Sequence, residues 1–300
     1  MSHLNGIIVP LVTPLLDRNT LDIEGLERLI EHVITNGVHG IFILGSTGEA
    51  PALSYKLRLE LIEKTAALVA GRVKIQVGIT DTSFEESLVI AHAACKHGAD
   101  SVVLAPPYYF TTSQQELIEY INHMTGQLPL PLYLYNMPGL TKTTFEPSTV
   151  LQLADNPKIA GLKDSSANMV YFHKLKYAVR NHPDFALFTG PEELLAESVL
   201  LGGNGGVCGG ANFFPSLYVE LYEASKNGDL ARVETLHRKV IQLSSTIYSV
   251  GKYGSSFLKG VKCALSVMGI CNDFISEPFH HFKETERAEI RNYLTDLGLV

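Results

Sequence analysis

No stretch of this 300-residue chain is rich in lysine or arginine, and its formal net charge is −7. A general electrostatic grip on nucleic acid needs the opposite balance, so no nucleic-acid partner is expected. A small anionic substrate stays open, because one local basic group suffices to meet it. No apolar run approaches the roughly 20 residues needed to span a bilayer, so no membrane partner is expected either. The N-terminal stretch MSHLNGIIVPLVTP lacks a charged segment followed by a long apolar run. It therefore predicts no signal peptide, and the chain reads as soluble and cytoplasmic. Cysteine is scarce. Cys95, Cys208, Cys263 and Cys271 form no C-x-x-C, and no Cys/His cluster shows zinc-like spacing. That pattern suggests buried free thiols in a reducing compartment and no metal. Neither G-x-G-x-x-G nor G-x-x-x-x-G-K-[ST] occurs, which removes the usual support for nucleotide binding. The histidines, His280 and His281 included, are scattered and read as structural or exposed.

What is present is ordinary globular composition, 46% hydrophobic and 18% charged, in a chain long enough for a large core. Short apolar runs fall at 6–12, 40–45, 73–79, 101–106, 132–136, 159–163, 186–190 and 205–210. Most are continuous rather than alternating, as parallel strands covered on both faces require. Helical patterns separate them, at 23–37, 54–71, 83–98, 114–125, 147–155, 168–181, 191–201 and 215–227. In the first, Ile23, Leu26, Ile30 and Val33 share a face and Gly37 can end the helix. Ser54 is a plausible N-cap for the second. Eight such units predict a closed (β/α)₈ barrel over residues 1–227, with an open doubly wound sheet as the alternative. Residues 228–300 read as a helical extension packed on it.

Active sites of such barrels lie at the C-terminal ends of the strands. The loops there carry Gly45-Ser46-Thr47-Gly48-Glu49, Pro106-Pro107-Tyr108-Tyr109, Tyr135-Asn136-Met137-Pro138, Lys163-Asp164-Ser165-Ser166, Gly190-Pro191-Glu192-Glu193 and Gly209-Gly210-Ala211-Asn212. A lysine amine is a nucleophile only when neutral, and near pH 7.5 only about one in a thousand ordinary lysines is. Desolvation in a barrel mouth can shift that balance, and a neutral amine there can attack a ketone and form an imine. Lys163 stands at such a place. Tyr135 ends the preceding strand and could shuttle the protons. Ser46 and Thr47, by hydroxyl and backbone N–H, could hold a carboxylate without an arginine. Taken singly each residue has a plainer reading. A strand-end lysine is usually solvated, a strand tyrosine usually packs, Gly-Ser-Thr-Gly is common turn chemistry, and Glu192-Glu193 can simply open a helix.

Together the stretches resemble one family. GIIVPLVTPL, GSTGEAPALS, PPYYF, YNMPGLT, GLKDSS and GGNGGVCGGANFFP fall in the order and spacing of the dihydrodipicolinate synthase/N-acetylneuraminate lyase family, across essentially the whole chain. The resemblance implies a barrel with a C-terminal helical extension, Schiff-base chemistry on pyruvate or larger 2-oxo acids without a cofactor, and a homotetramer built from two tight dimers. It implies that Lys163 forms the imine, that Tyr135 shuttles protons, and that Ser46 and Thr47 bind the pyruvyl carboxylate. Thr47 and Tyr109 join the catalytic set, Tyr109 by reaching a neighbouring subunit's site. Val207 lines the pocket, and the backbone at Gly190 and Gly206 contacts longer substrates. Glu192 stands with them as a hydrogen-bonding group for a substrate's polar tail.

The family's dihydrodipicolinate synthases carry an arginine two residues after the proline of YN-x-P, associated with the aldehyde partner's carboxylate. Here that place holds Leu140. GLKDSS also looks more like the sugar-acid and hydroxy-oxo-acid aldolases, and Tyr135-Asn136 differs from the Tyr–His of many neuraminate lyases. The expected activity is thus a lyase cleaving a 2-keto-3-deoxy sugar acid, or a related hydroxy-oxo acid, to pyruvate and an aldehyde. Dihydrodipicolinate synthesis, neuraminate cleavage, sugar-acid dehydration and a noncatalytic metabolite-binding barrel are the alternatives.

Overall fold

In the computed structural model, which describes residues 4–300, the continuous apolar runs become parallel strands. Residues 1–3, part of the stretch read for a leader, lie outside the described residues. Strand β1 (Gly6–Pro10) is followed by a small hairpin, β2 (Leu15–Asp17) and β3 (Thr20–Leu21). The remaining barrel strands are β4 (Gly40–Ile43), β5 (Lys74–Gly78), β6 (Ser101–Leu104), β7 (Leu132–Asn136), β8 (Ile159–Asp164), β9 (Ala186–Thr189) and β10 (Gly205–Val207). They close in the order β1-β10-β9-β8-β7-β6-β5-β4, the expected eight-stranded barrel. Inside it pack Ile8, Phe42, Val103, Tyr133, Tyr135, Phe188 and Val207.

The helices around it are α1 (Ile23–Thr35), α2 (Tyr55–Val69), α3 (Phe84–Lys96), α4 (Gln114–Gln127), the single turn α5 (Pro138–Thr141), α6 (Pro147–Ala154), α7 (Met169–Ala178), α8 (Leu195–Leu200) and α9 (Pro215–Lys226). Their ends follow the capping logic of the sequence. Ser54 Oγ accepts the Leu57 N–H at 3.3 Å, and Ser83 Oγ accepts that of Glu86 at 3.3 Å. Gly37 and Gly98 take the left-handed φ of 84° and 86° that ends a helix. On α1 the residues Leu26, Leu29, Ile30 and Val33 are buried, each contributing about 1.5–3 kcal/mol of burial. Truncating one, as in Leu29→Ala, would cost about 2–5 kcal/mol.

After Asn227 come α10 (Leu230–Ser245), the 3₁₀ turn Ile247–Lys252, α11 (Ser256–Val267) and α12 (Glu284–Asp296). Among the described residues no helix is long and apolar enough to cross a membrane.

The structure departs from the sequence reading at identifiable places. The β2–β3 hairpin was not foreseen; its turn is set by Asp17 Oδ1, which accepts the Asn19 N–H at 2.8 Å. The last strand stops at Val207 rather than Gly210, because Gly209–Asn212 coils into a 3₁₀ turn whose Gly210 N–H leaves the sheet for Glu192. The helix expected over 191–201 is split into a 3₁₀ turn, Glu192–Leu194, and α8. Cys208, Cys263 and Cys271 are buried free thiols, but Cys95 is exposed. It sits on the solvent side of α3, whose core face is formed by Leu88, Ile90, Ala91 and Ala94.

Candidate active site

Lys163 and Tyr135 are side by side because β8 carries one extra residue. Leu132 pairs with Ile159, but Tyr133 pairs with Gly161, so Ala160 bulges out of the register. Without that bulge Tyr135 would sit opposite Leu162; with it, Tyr135 pairs with Lys163, and both enter the barrel mouth. Lys163 is only 8% exposed and Tyr135 6%. The Lys163 Nζ lies 4.2 Å from the centre of the Tyr135 ring and 5.2 Å from that of Phe42.

The Tyr135 hydroxyl is 3.5 Å from Ser46 Oγ. Burial alone would push this phenol up. The Lys163 charge beside it and hydrogen bonds with Ser46, Ser165 and Lys163 outweigh burial and hold it below the usual tyrosine range. A phenol so placed gives up its proton more readily than an ordinary one.

The remainder of GLKDSS is a brace. Asp164 accepts Asn136 Nδ2 at 2.8 Å, the Ser166 N–H at 3.0 Å and the Ser166 hydroxyl at 2.9 Å. Asn136 in turn accepts the Phe145 N–H at 3.1 Å. Burial pushes the Asp164 carboxyl above the usual range while the Asn136 and Ser166 hydrogen bonds oppose it. Asp164 thereby fixes the ends of β7 and β8 against each other.

Ser46 and Thr47 occupy the loop after β4. Leu44 has a φ of 57°, a left-handed backbone unusual for leucine, and turns the chain into the loop. Gly48 and Ala50 donate back to Gly45 O at 3.1 and 3.3 Å, and Glu49 donates to Ser46 O at 3.1 Å. Thr13 Oγ1 ties Gly48 O at 2.7 Å. The Ser46 and Thr47 N–H groups donate to no other described residue and so can meet an external acceptor. Below them Glu49 is buried, paired with Lys262 of α11 and accepting the Ser276 N–H at 2.7 Å.

Other expected residues fall unevenly. Gly190 directly follows β9, donates its N–H to Asp164 O at 2.7 Å, and has Ser165 Oγ where a Cβ would stand. Gly206 and Val207 belong to β10, with Val207 in the inner cluster. Tyr109 is 78% exposed, its ring 5.2 Å from the equally open Phe110, and it makes no hydrogen bond to Tyr135 or Lys163 of its own chain. Glu192, read as facing a substrate tail, turns inward instead: its oxygens accept Gly210 N–H and the hydroxyls of Tyr218 and Tyr248. Pro191 and the 3₁₀ turn direct it there. The sequence reading missed Lys262, Tyr218 and Tyr248, which come from distant helices and form no local motif. Among the described residues no group of three or more His, Cys, Asp or Glu could hold a metal ion.

Known proteins share this fold. The chain is 57% identical, over 98% of each chain and with a TM-score of 0.96, to the structure of dihydrodipicolinate synthase from Bacteroides thetaiotaomicron. It is 30% identical, over 99% of each chain and with a TM-score of 0.93, to a prophage protein of Escherichia coli K12 solved in complex with pyruvate. It is 31% identical, over 100% of this chain and 99% of the relative, to a probable 2-dehydro-3-deoxy-D-pentonate aldolase of Escherichia coli K12. The model of the dihydrodipicolinate synthetase family matches residues 3–297, so nearly the full length is accounted for, and the chain belongs to that family.

Proposed function

We propose that Lys163 is the imine-forming residue of this enzyme, a cofactor-independent lyase, and that its substrate is a 2-keto-3-deoxy sugar acid or related hydroxy-oxo acid. The observation that carries the reading is the in-register pair of Lys163 and Tyr135 in the barrel mouth. The neutral amine attacks the C2 ketone, and the carbinolamine loses water to give an iminium. That iminium draws the electrons of the C3–C4 bond as it breaks, the C4 hydroxyl loses its proton, and an aldehyde leaves. The resulting enamine takes a proton at C3, and water hydrolyses the imine to release pyruvate. Tyr135, with Ser46 beside its hydroxyl, moves the protons. Ser46 and Thr47 hold the pyruvyl carboxylate through N–H and hydroxyl groups.

The choice of substrate rests on charge. Aspartate semialdehyde brings a carboxylate, which is costly to desolvate without a matched donor. Leu140 on α5, 56% exposed, offers none. Arg18, in the turn between β2 and β3, is bonded to Glu277 at 2.7 Å. Dihydrodipicolinate synthesis is the second reading, favoured by the 57% identity to the Bacteroides thetaiotaomicron protein. The test compares kcat/KM for cleavage of 2-dehydro-3-deoxy-D-pentonate with that for condensation of pyruvate and aspartate semialdehyde, in wild type and in Leu140→Arg. Faster cleavage in the wild type, with Leu140→Arg gaining on the semialdehyde, supports the first reading; a wild type preferring the semialdehyde supports the second. The exposed Tyr109 and Phe110 suit a homotetramer in which Tyr109 enters a neighbouring site. The buried free thiols Cys208, Cys263 and Cys271 suit a reducing cytoplasm.

A further inference from the structure

Glu192 has no part in the chemistry above, yet it is 4% exposed and three donors converge on its carboxylate. Oε2 accepts the Gly210 N–H at 2.9 Å. Oε1 accepts the hydroxyls of Tyr218, on α9, and Tyr248, in the 3₁₀ turn of the C-terminal extension. Burial and the Glu192 charge push both tyrosines well above their ordinary range, so they remain donors. A carboxyl is kept in such a place only where hydrogen bonds replace its water.

The position of this knot gives it a purpose. β9 and β10 are neighbours, with Thr189 paired to Gly206. Glu192 follows the end of β9, and Gly210 lies in the turn that follows β10. A Cβ on Gly210 would strike the Tyr218 and Tyr248 hydroxyls, so only glycine lets that turn come down onto the carboxyl. The same stretch of backbone carries Gly190, whose missing Cβ makes room for the Ser165 side chain, two residues after Lys163.

We propose that Glu192 is a positioning residue. It ties the end of β9 to the turn after β10 and, through Tyr248, to the C-terminal extension. It thereby fixes the wall of the barrel mouth that meets the part of the substrate beyond the pyruvyl unit. This rests on the Lys163 reading above. It assigns Tyr248 a role in specificity although that residue lies outside the barrel.

The full chain is tested as Tyr248→Phe and Glu192→Gln. Tyr248→Phe removes one donor and keeps the ring against Phe257, whose centre is 4.8 Å away. Two readouts separate the roles: the rate at which pyruvate and borohydride label Lys163, and kcat/KM for cleavage of 2-dehydro-3-deoxy-D-pentonate. Labelling should match wild type. Cleavage should fall about tenfold or more, the scale of losing a hydrogen bond to a buried charged group, with the larger share in KM. Unchanged cleavage in a folded Tyr248→Phe would overturn the proposal, as would an equal fall in both readouts. A wild type that labels but does not cleave this acid overturns the sugar-acid reading alone. The positioning role is then read from the rate at which aspartate semialdehyde consumes the pyruvate imine. A wild type that does not label overturns the Lys163 reading and this inference with it.

Discussion

Lys262 and Glu49 stand 213 residues apart in sequence and form an ion pair whose side chains are 1% and 3% exposed. Glu49 directly follows the Ser46-Thr47-Gly48 loop, and its backbone takes a φ of 60°. The C-terminal extension therefore reaches under the loop proposed to hold the substrate carboxylate. Lys262 also donates to Phe274 O at 2.6 Å, and Glu49 accepts the Ser276 N–H, so each member has a second hydrogen bond.

Removing one member of this pair leaves the other buried without a partner. Lys262→Met should lower stability by about 3–5 kcal/mol. The double change Lys262→Met with Glu49→Gln should recover part of that loss, since no charge is then stranded. Urea unfolding of the two variants checks this, and a single variant as stable as wild type would show that the pair contributes nothing.

Tyr135→Phe separates a proton shuttle from a packing role. As a shuttle, its loss should slow kcat about a hundred- to ten-thousandfold. As a packed tyrosine, loss of one hydroxyl would cost about 1 kcal/mol of stability and little rate. Steady-state kinetics and melting on the same sample decide between them, and near-wild-type turnover would remove Tyr135 from the mechanism.

Much of this site could be read from the chain because strand ends in a parallel barrel converge on one face. The order GSTGE, YNMP, GLKDSS therefore places its residues together once the strands are recognised. What could not be read is how Lys163 comes to face Tyr135. That depends on the Ala160 bulge; Gly161 inside the strand is a signal for one, but IAGLK does not say that it brings Lys163 opposite Tyr135. The inward turn of Glu192 is hidden from the sequence for a related reason. An acid at a strand end looks solvent-facing in sequence, and its partners Gly210, Tyr218 and Tyr248 are supplied by segments 18, 26 and 56 residues away. Cys95 shows the limit of composition: cysteines are usually buried, but helical phase decides each one.

Stability should carry the mark of Glu192 across pH. Burial pushes its carboxyl to about 7, against an ordinary 4.5, with the Gly210 and tyrosine hydrogen bonds pulling the other way. Between those values the folded chain holds this proton more tightly than the unfolded chain does. The group's contribution to stability is therefore largest below 4.5 and is lost as pH rises through 7. Urea unfolding at about pH 5.5 and 8 should show a smaller difference in Glu192→Gln than in wild type. Equal differences would mean that Glu192 titrates as an ordinary carboxyl.

Tyr109 tests the assembly. Inactive Lys163→Ala and inactive Tyr109→Phe chains, unfolded and reassembled together, should regain activity through sites that combine an intact Lys163 with a neighbour's intact Tyr109. Reassembled mixtures that stay inactive would confine Tyr109 to its own chain.

The proposed chemistry requires that pyruvate bond covalently to Lys163. Incubating the purified chain with pyruvate and borohydride, then mapping the modified peptide by mass spectrometry, measures it directly. A reduced pyruvyl adduct on Lys163 that disappears in Lys163→Ala is the predicted result. No adduct, or one that persists on another lysine in Lys163→Ala, would contradict the account.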